Sequence, residues 1–288
     1  MSFLQRFKDC NKHNETNFYK FIINNHHVGF IKKKNLNIIN NFSNFFLFKK
    51  NKIYLRKKFN TFKKRTYVIN QVFNFLVEKK IIHSNHREYF PVFKSFTTKP
   101  LLKVQRLVGP FFSFQFFGVH LNGYVKKNNN YLMWVGKRSK NGNFPNDLDQ
   151  IAAGGLQFNV TIKKNLIKES YEEANINKKL IIKSNYIGTI SYRVETKLGL
   201  SRHILFCYNL ELPEKFKPKN NDGEITKFYL WPINKILKII KSSRKFKFDC
   251  ALVIILFAIN KKILNKKIFL KVLNNKSDLK ILKNLKIK

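Results

Sequence analysis

Between residues 109 and 230 the chain alternates short apolar segments with turn-forming residues, and this rhythm constrains the fold more than any other feature. Strands are predicted at residues 114–125, 131–136, 151–155, 186–191, 203–212 and 225–230. Helices are predicted at residues 161–174, 234–241 and 248–262. Because the helices are interspersed irregularly, the pattern favours an α+β fold, an α/β/α sandwich with a mixed sheet, over a doubly wound sheet.

The first 105 residues differ in texture, being rich in Lys, Asn and Phe and poor in Gly. Residues 21–23 and 26–31 are typical of two strands around a polar turn. Residues 67–82 carry apolar side chains at helical spacing. We therefore predict a small α/β domain of unassigned function at residues 1–105 and a larger domain, ending in helices, at 106–288.

The charge is strongly positive, since 57 Lys and Arg against 16 Asp and Glu give a formal net charge of +41. Such an excess attracts polyanions, including nucleic acid. The lysines are spread along the whole chain, however, and do not form one stripe or arm. Lys, Asn, Ile and Phe all have AT-rich codons, so we attribute the charge to an AT-rich genome and keep RNA binding as the less favoured alternative.

The cysteines and the apolar runs indicate a compartment. Cys10, Cys207 and Cys250 are far apart and form no Cys-x-x-Cys pair, which predicts free thiols in a reducing environment. Cys207 and Cys250 are predicted to be core thiols. Residues 1–10 lack the apolar segment of a secretory signal, and the run at 250–259 is shorter than the ~20 residues of a spanning helix. The sequence therefore predicts a cytoplasmic protein with no membrane partner and a buried helix at 250–259.

Three carboxylates on the helix at 161–174 are the strongest chemical signal. Glu169, Glu172 and Glu173 stand at i, i+3 and i+4 and project to one face. Like charges so placed destabilise an exposed helix by about 0.2–0.5 kcal/mol per pair, and a hard cation such as Mg²⁺ (or Mn²⁺) would offset that cost. The alternative is a solvated helix face on which Lys168 and other lysines neutralise the glutamates.

The Gly154-Gly155 pair precedes this helix. Glycine lets the backbone approach a phosphate closely, and the start of a helix offers free N–H groups to an anion. The alternative for the pair by itself is an ordinary turn. Together with the glutamate face, it forms a recognisable unit.

The stretch GGLQFNVTIKKNLIKESYEEANI, from Gly154 to Ile176, resembles the Nudix box. That pattern runs Gly, five residues, Glu, seven residues, Arg-Glu-apolar-x-Glu-Glu-x-Gly-apolar. Gly154, Ile176 and the three glutamates match it. The departures from the pattern are Val160 for the first Glu, Lys168 for the Arg, Ser170 for the apolar residue and Asn175 for the Gly. Val160 removes one metal ligand or capping partner, and Lys168 cannot make the bidentate fork of an arginine.

The resemblance covers most of the chain. Its segments are FGVHLNGYV, WVGKRSK, DLDQIAAGGL, SYRVET, ILFCYNLELPEKFKPKNNDGEI and KFDCALVIILF. They are similar to one Nudix subfamily with an N-terminal domain of unassigned fold, which FIINNHHVGFI and PLLKVQRLVGPFFSF resemble more loosely. Some members are fused to a thiamin pyrophosphokinase, and others act on thiamin diphosphate and its oxidised or damaged analogues.

The resemblance implies a site and a reaction, the metal-dependent hydrolysis of a small-molecule diphosphate to a monophosphate. Glu172 and Glu173 would hold Mg²⁺, with Glu169 as a third ligand or as the group that activates water. Glu224, in the later segment Asp222-Gly223-Glu224, is a second candidate base or ligand. Its alternative is an ordinary turn acid. Gly154, Gly155 and Arg138 are the candidate substrate contacts, although a surface position at a strand end explains Arg138 equally well.

Two other hypotheses follow from the same residues. The departures at Val160, Ser170 and Asn175 are compatible with a degenerate Nudix module that binds a phosphate compound without cleaving it. The net charge is compatible with an RNA-directed Nudix protein, such as a cap-removing hydrolase. The hydrolase of a small metabolite is the favoured hypothesis.

Overall fold

The N-terminal part of the chain is built on a four-stranded sheet in the computed structural model, which describes residues 2–83, 88–141, 143–265 and 285–287. Its strands, in the spatial order β2-β1-β4-β3, are β1 (Phe18–Ile23), β2 (His26–Lys32), β3 (Phe46–Lys49) and β4 (Lys52–Leu55). β1 and β4 run parallel, and the other two pairs are antiparallel. The two strands predicted at residues 21–23 and 26–31 are confirmed and are longer than predicted.

Four helices belong to this half of the chain: α1 (Phe3–Asp9), α2 (Leu36–Asn40), α3 (Phe62–Glu78) and α4 (Gly109–Phe112). The helix predicted at 67–82 is α3, which begins earlier and ends earlier than predicted. It begins at Phe62 because the Thr61 hydroxyl accepts a hydrogen bond from the Lys64 N–H at 3.2 Å. Its buried face, including Val68 and Val72, packs into the core of this half.

The antiparallel hairpin of β5 (Tyr89–Val92) and β6 (Leu102–Gln105) completes this part. One hydrophobic core joins buried side chains from Phe21 to Phe116, with several phenylalanines after residue 105. A boundary at residue 105 stays a prediction. We call the described residues between 18 and 112 the N-terminal unit.

The second sheet has eight strands: β7 (Gln115–Lys127), β8 (Asn130–Arg138), β9 (Leu148–Asp149), β10 (Ala152–Gly155), β11 (Asn185–Glu195), β12 (Leu200–Glu211), β13 (Ile225–Pro232) and β14 (Leu285–Ile287). Six of them follow the order β13-β8-β7-β12-β11-β14, while β10 pairs with β7 and β9 with β8. β7 and β12 run parallel over their length and the other pairs are antiparallel. The sheet is therefore mixed, as predicted.

Helices cover both faces of this sheet: α5 (Ile162–Ala174), α6 (Lys178–Ile181), α7 (Ile233–Ser242) and α8 (Phe248–Asn260). Leu166 of α5 packs with the β7 side chains of one face, whereas α7 and α8 pack with Met133 and Val135. Trp134, between those two residues, points to the α5 side, as the alternation of a strand requires. This arrangement confirms the α/β/α sandwich, preceded by a smaller α/β unit.

The last described helix is buried, as predicted, because every residue from Asp249 to Ile259 lies in the core. Helix α1 packs against it, and the Cys10 thiol donates to the Phe248 carbonyl at 3.4 Å. All three cysteines are free, as predicted, and all three are buried, which confirms Cys207 and Cys250 as core thiols and adds Cys10 to them. Within the residues described, no helix has the length and apolar character needed to cross a membrane.

Candidate active site

Helix α5 presents the three glutamates, and its two ends fix its position. The Thr161 hydroxyl caps the start by accepting from the Lys164 N–H at 3.3 Å. Asn175 closes the end in the left-handed conformation, at φ 52°, and its N–H donates to the Tyr171 carbonyl at 2.9 Å. Asparagine tolerates this conformation better than most residues. The departure from glycine at position 175 therefore leaves the turn intact.

The carboxylates of Glu169, Glu172 and Glu173 line one cavity of about 350 Å³. Glu169 and Glu173 are buried, with exposed fractions of 9% and 4%, whereas Glu172 is half-buried. The Glu173 carboxylate accepts a hydrogen bond from the Ala153 N–H of β10 at 3.1 Å. The three carboxylates thus face one cavity, as their spacing on one helix face predicts, and the contact with β10 holds Glu173, the most buried of the three. Their role as a functional site stays a prediction.

Lys168 is the cation closest to this cluster. Its ammonium lies 3.3 Å from a Glu169 carboxylate oxygen and 3.0 Å from one of Glu172. One point charge thus contacts two carboxylates singly, without the bidentate geometry of the arginine that it replaces in the family pattern. Glu173 receives no such contact from Lys168 among the described ion pairs.

Burial raises the pKa values of two carboxyl groups of this cluster. Burial raises the pKa of Glu169 to about 7, with a further contribution from Glu172 and against the opposing effect of Lys168. Burial also raises the pKa of Glu173 well above its ordinary value, and the carboxylates of Asp149 and Glu224 add to that shift. Carboxyl groups with raised pKa values in a cleft are characteristic of functional sites.

A divalent cation fits the chemistry of these side chains. They offer carboxylate oxygens, the ligands that Mg²⁺ prefers, and a bound cation would compensate the charge that burial disfavours. In the part of the chain that the structure describes, no group of three or more His, Cys, Asp or Glu side chains is already placed around one metal position. The carboxylate oxygens thus fit Mg²⁺ by their chemistry. Their side chains would have to move closer together to enclose the ion.

Gly154 and Gly155 lie on β10 beside the cluster. A Cβ atom added to Gly154 would lie 2.1 Å from the carboxyl carbon of Glu169, so a side chain there and this carboxylate exclude each other. A Cβ atom added to Gly155 would lie 2.6 Å from the ring of Phe90. Both glycines line the cavity. Contact of either one with a substrate phosphate stays a prediction.

Arg138 bridges two carboxylates at the wall of the cavity. Its guanidinium donates to Asp149 at 2.8 Å, to Glu224 at 3.1 Å and to the Asn143 carbonyl at 2.7 Å. The residue is 8% exposed, so its side chain is not the surface group that the strand end allowed. Despite burial, the carboxylate of Asp149 raises the pKa of Arg138. Direct contact of Arg138 with substrate stays a prediction, while its role in holding Glu224 is visible.

Glu224 enters the cavity from the loop before β13. Its backbone N–H donates to the Asp222 carboxylate at 2.9 Å, and its carbonyl accepts from the Ser139 N–H at 2.8 Å. Its side chain is 53% exposed. The structure thus brings Glu224 to the cavity that the three helical glutamates line, far from them in sequence.

The loop between β10 and α5 is held by the N-terminal unit. The Phe158 N–H donates to the Tyr89 carbonyl at 2.8 Å, and the Gln157 amide donates to the Glu88 carboxylate at 3.1 Å. The Phe158 ring packs against Phe62 with 5.5 Å between the ring centroids. Val160 stands in this loop where the family pattern has a glutamate, so contacts with another unit position a loop that lacks that carboxylate. No local pattern in the sequence indicates these partners.

A second group of polar side chains lines the same cavity and was not predicted. Tyr192 of β11 stacks on His203 of β12, with ring centroids 5.1 Å apart and planes at 14°. The Tyr192 hydroxyl lies 3.4 Å from the buried Asp249 carboxylate, which pairs with the Lys247 ammonium at 3.3 Å. Tyr192 and Asp249 lie in SYRVET and KFDCALVIILF, two of the segments that resemble the Nudix subfamily. That resemblance was the one signal in the sequence that could have pointed to these residues.

Comparisons with known proteins show the family to which the chain belongs. The chain is 34% identical over 267 residues to "Nudix hydrolase 20, chloroplastic" of Arabidopsis thaliana, which covers 88% of this chain and 71% of that protein. It is also 34% identical over 260 residues to "Nudix hydrolase 24, chloroplastic" of the same plant, again over 88% and 71% of the two chains. An uncharacterized protein of Saccharomyces cerevisiae is 34% identical over 56% of this chain and 51% of its own. The chain therefore belongs to the Nudix hydrolase family, the enzymes that cleave diphosphate bonds.

The N-terminal region and the solved structures add two further findings. Residues 2–116 match a family model described as a domain of unknown function, DUF4743. The Ap4A hydrolase of C. elegans, in a binary complex, is 14% identical, with a TM-score of 0.39 over 52% of this chain and 99% of its own. The Nudix domain of NrtR from Shewanella oneidensis, solved with ADP ribose, is 11% identical, with a TM-score of 0.41 over 52% and 89%.

Proposed function

We propose that this chain is a Mg²⁺-dependent hydrolase (Mn²⁺ being the alternative metal) that converts the diphosphate of a small metabolite to the monophosphate and phosphate. The observation that carries this proposal is the convergence of Glu169, Glu172, Glu173 and Glu224 on one cavity. Thiamin diphosphate and its oxidised or damaged analogues are the candidate substrates, on the resemblance of the sequence. The relatives named chloroplastic leave the cytoplasmic location a prediction.

Each acidic residue has a proposed role. Glu172 and Glu173 would hold the cation, which when bound supplies charge stabilisation at the phosphoryl oxygens. Glu169 would take the proton of the attacking water, because its buried carboxylate lines the cavity next to the two proposed metal ligands. The new phosphorus–oxygen bond comes from this water, and the bond from phosphorus to the bridging oxygen breaks. Glu224, fixed by Arg138, would be the alternative base or a further ligand.

The surrounding residues would keep these groups in place. Gly154 leaves room for the Glu169 carboxylate, and Lys168 draws Glu169 and Glu172 toward one point. Arg138 restrains Glu224. Such restraint supports turnover, because a catalytic group displaced by about 1 Å can cost on the order of 100-fold in rate.

The test is phosphate release with Mg²⁺ or Mn²⁺ from a panel of diphosphates. The panel holds thiamin diphosphate, its oxidised analogues, ADP-ribose, NADH, coenzyme A and capped RNA. Glu172→Gln and Glu173→Gln should lower kcat by about 100-fold or more, as expected for loss of a group stabilising the transition state. Glu78→Gln, at an exposed glutamate of α3 outside the cavity, is the matched control and should retain full turnover.

Three outcomes would decide against the proposal. Full activity of Glu172→Gln or Glu173→Gln excludes the assigned carboxylates. Saturable binding without product, measured by calorimetry on folded protein, would support the degenerate module. Turnover of capped RNA alone, with tight binding that falls steeply with salt, would support the RNA-directed alternative.

A further inference from the structure

An open cleft on the surface of the N-terminal unit combines lysines with aromatic rings. It is lined by Lys58, Phe59, Lys63, Lys64 and Tyr67, and we call these five residues the Tyr67 surface. None of them lines the cavity that holds the glutamates. The Tyr67 surface is therefore separate from the candidate active site.

The backbone brings the Tyr67 surface together at the start of helix α3. Thr61 caps the helix, so Lys63 and Tyr67 stand four residues apart within it and share one of its faces. The Phe59 N–H donates to the Arg56 carbonyl at 3.0 Å, which forms a turn directly before the cap. This turn places the Phe59 ring beside the helical face.

The two aromatic rings of this surface are supported by a third. The Phe45 ring lies 5.3 Å from that of Phe59 and 6.3 Å from that of Tyr67, in edge-on contacts at 87° and 77°. Phe45 and Phe59 are half-buried, whereas Tyr67 is 55% exposed. A ring that is held by packing and open to solvent can stack with a planar group of a ligand.

The positive charge of this surface has no partner. No Asp or Glu occurs in the sequence between residues 15 and 78. Lys58, Lys63 and Lys64 are exposed, and no ion pair among the described residues joins their ammonium groups to a carboxylate. The number of lysines in the whole chain indicates no partner, but these three surround aromatic rings and face no anion. Such a surface attracts a polyanion.

Single-stranded nucleic acid matches both the charge and the rings. Its phosphates pair with lysines, and its unpaired bases stack on exposed aromatic side chains. An anionic membrane would also attract the lysines, but its binding depends on apolar side chains that enter the lipid. Here the phenylalanine is half-buried, and the exposed ring, that of Tyr67, ends in a hydroxyl. The surface therefore favours nucleic acid over lipid.

We propose that the Tyr67 surface binds single-stranded nucleic acid, with one base stacked on the Tyr67 ring and the adjacent phosphates on Lys58, Lys63 and Lys64. The N-terminal unit then has a binding function of its own. The nucleic acid need not be a substrate of the large domain, so the proposal does not rest on the proposed function.

The first test measures binding of the full chain to a short oligouridine by fluorescence anisotropy. The oligomer has a 5′-hydroxyl end and hence no diphosphate, and Mg²⁺ is omitted, so neither hydrolysis nor the proposed metal is needed. An abasic oligomer of the same length and charge is the matched ligand. We expect oligouridine to bind about fivefold more tightly or better, as one stacked base contributes. Equal affinity for the two oligomers would overturn the proposal.

Variants of the tyrosine test the stacking. Tyr67→Ala should lose the preference for oligouridine over the abasic oligomer, and Tyr67→Phe, which keeps the ring, should retain it. Tyr171→Ala, at a tyrosine of α5 that is 56% exposed and does not line the cavity, is the matched control and should bind as the native chain does. A preference that survives in Tyr67→Ala, or one that is lost equally in Tyr171→Ala, would contradict the assignment. Thermal unfolding of each variant establishes that it is folded.

A triple variant tests the charge, by replacing all three lysines of the Tyr67 surface: Lys58→Ala, Lys63→Ala and Lys64→Ala. The slope of log Kd against log salt concentration should become shallower by about 2, since each phosphate contact contributes about 0.7. A matched triple variant removes the same charge from exposed lysines at and after α6: Lys178→Ala, Lys179→Ala and Lys183→Ala. It should keep the native slope. Equal changes in the two triple variants would show that binding depends on net charge alone and would overturn the proposal.

Vesicles separate nucleic acid from a membrane as the partner. Vesicles of phosphatidylcholine with phosphatidylserine are added to the full chain under the same conditions. We expect oligouridine to bind in their presence. Binding of the vesicles without any binding of oligouridine would overturn the proposal and identify a lipid surface as the partner.

Discussion

The Glu169 carboxylate fills the space that a side chain on Gly154 would need: a Cβ atom added to Gly154 would lie 2.1 Å from the Glu169 carboxyl carbon. The contact joins strand β10 to helix α5. The Asn165 amide, one turn earlier on α5, also donates to the Gly154 carbonyl at 3.3 Å. The first glycine of the pair therefore has a steric role toward the proposed base, separate from any contact with phosphate.

Gly154→Ala should lower kcat by about 100-fold, because the added methyl group displaces the Glu169 carboxylate. The measurement is steady-state kinetics of Gly154→Ala, Glu169→Gln and the double variant. If glycine acts through Glu169, the double variant should be no slower than Glu169→Gln alone. A full additional loss in the double variant would indicate instead that Gly154 contacts the phosphate.

The stability difference between Glu169→Gln and the native chain should grow with pH. Burial raises the pKa of Glu169 from its ordinary 4.5 to about 7 in the folded state, so the folded state binds this proton more tightly than the unfolded state. Its favourable contribution is complete below pH 4.5 and is lost as the pH rises through 7. We define the stability difference as the free energy of unfolding of Glu169→Gln minus that of the native chain, both without metal. This difference should be about 3 kcal/mol larger at pH 8 than at pH 4.

The comparison is made with urea unfolding in the presence of a chelator. Burial lowers the pKa values of His203 and His120, so these two residues make both proteins less stable at acid pH. The effect is the same in the two proteins and cancels in the difference. Added Mg²⁺ should restore stability to the native chain at pH 8 more than to the variant. A difference that is independent of pH would show that the Glu169 carboxyl titrates normally.

Arg138→Ala should reduce the free energy of unfolding by about 3–5 kcal/mol, because it leaves the buried Asp149 carboxylate without its closest cation. Arg138→Lys should retain part of this, since an ammonium cannot bridge Asp149 and Glu224 as a fork. Arg244→Ala, which removes an exposed guanidinium from its pair with Asp9, is the control and should cost much less stability than Arg138→Ala. Equal losses in the two alanine variants, measured by urea unfolding, would contradict the bridging role.

Phe158→Ala should lower kcat about tenfold, because the loop before α5 loses its ring contact with the N-terminal unit. Phe59→Ala removes a comparable ring contact, that with Phe45 at 5.3 Å, outside the cavity. The two variants should lose similar stability by thermal unfolding, while Phe59→Ala keeps native kcat. Native kcat in Phe158→Ala would mean that the loop holds its position without the N-terminal unit.

Much of the fold was predictable because local periodicity determines it. The strands, helix α5 and the shared face of its three glutamates follow from spacings within one segment. The predicted helix at residues 67–82 was placed too late, because the threonine cap at position 61 precedes the apolar pattern. Element ends depend on such single side chains more than on periodicity.

The rest of the site could not be predicted from local patterns. Arg138 is buried where its guanidinium donates to Asp149 and Glu224, which lie on other parts of the chain. The contacts of Glu88 with Gln157 and of Tyr192 with Asp249 join residues far apart in sequence. Nothing in the sequence around any of these residues marks it as part of a site. The folding of the sheet brings them together.

The contact between α1 and α8 has a consequence for how the protein is made. Cys10 and Phe248, which touch in the folded chain, are 238 residues apart. At 5–20 residues per second, a ribosome needs roughly ten to fifty seconds to cover that interval. Until residue 248 has been made, the Cys10 thiol lacks its native acceptor and Phe7 lacks the α8 side chains of its core. The yield of folded protein in a cell should therefore respond to the speed of translation and to growth temperature, as well as to the strength of the finished core.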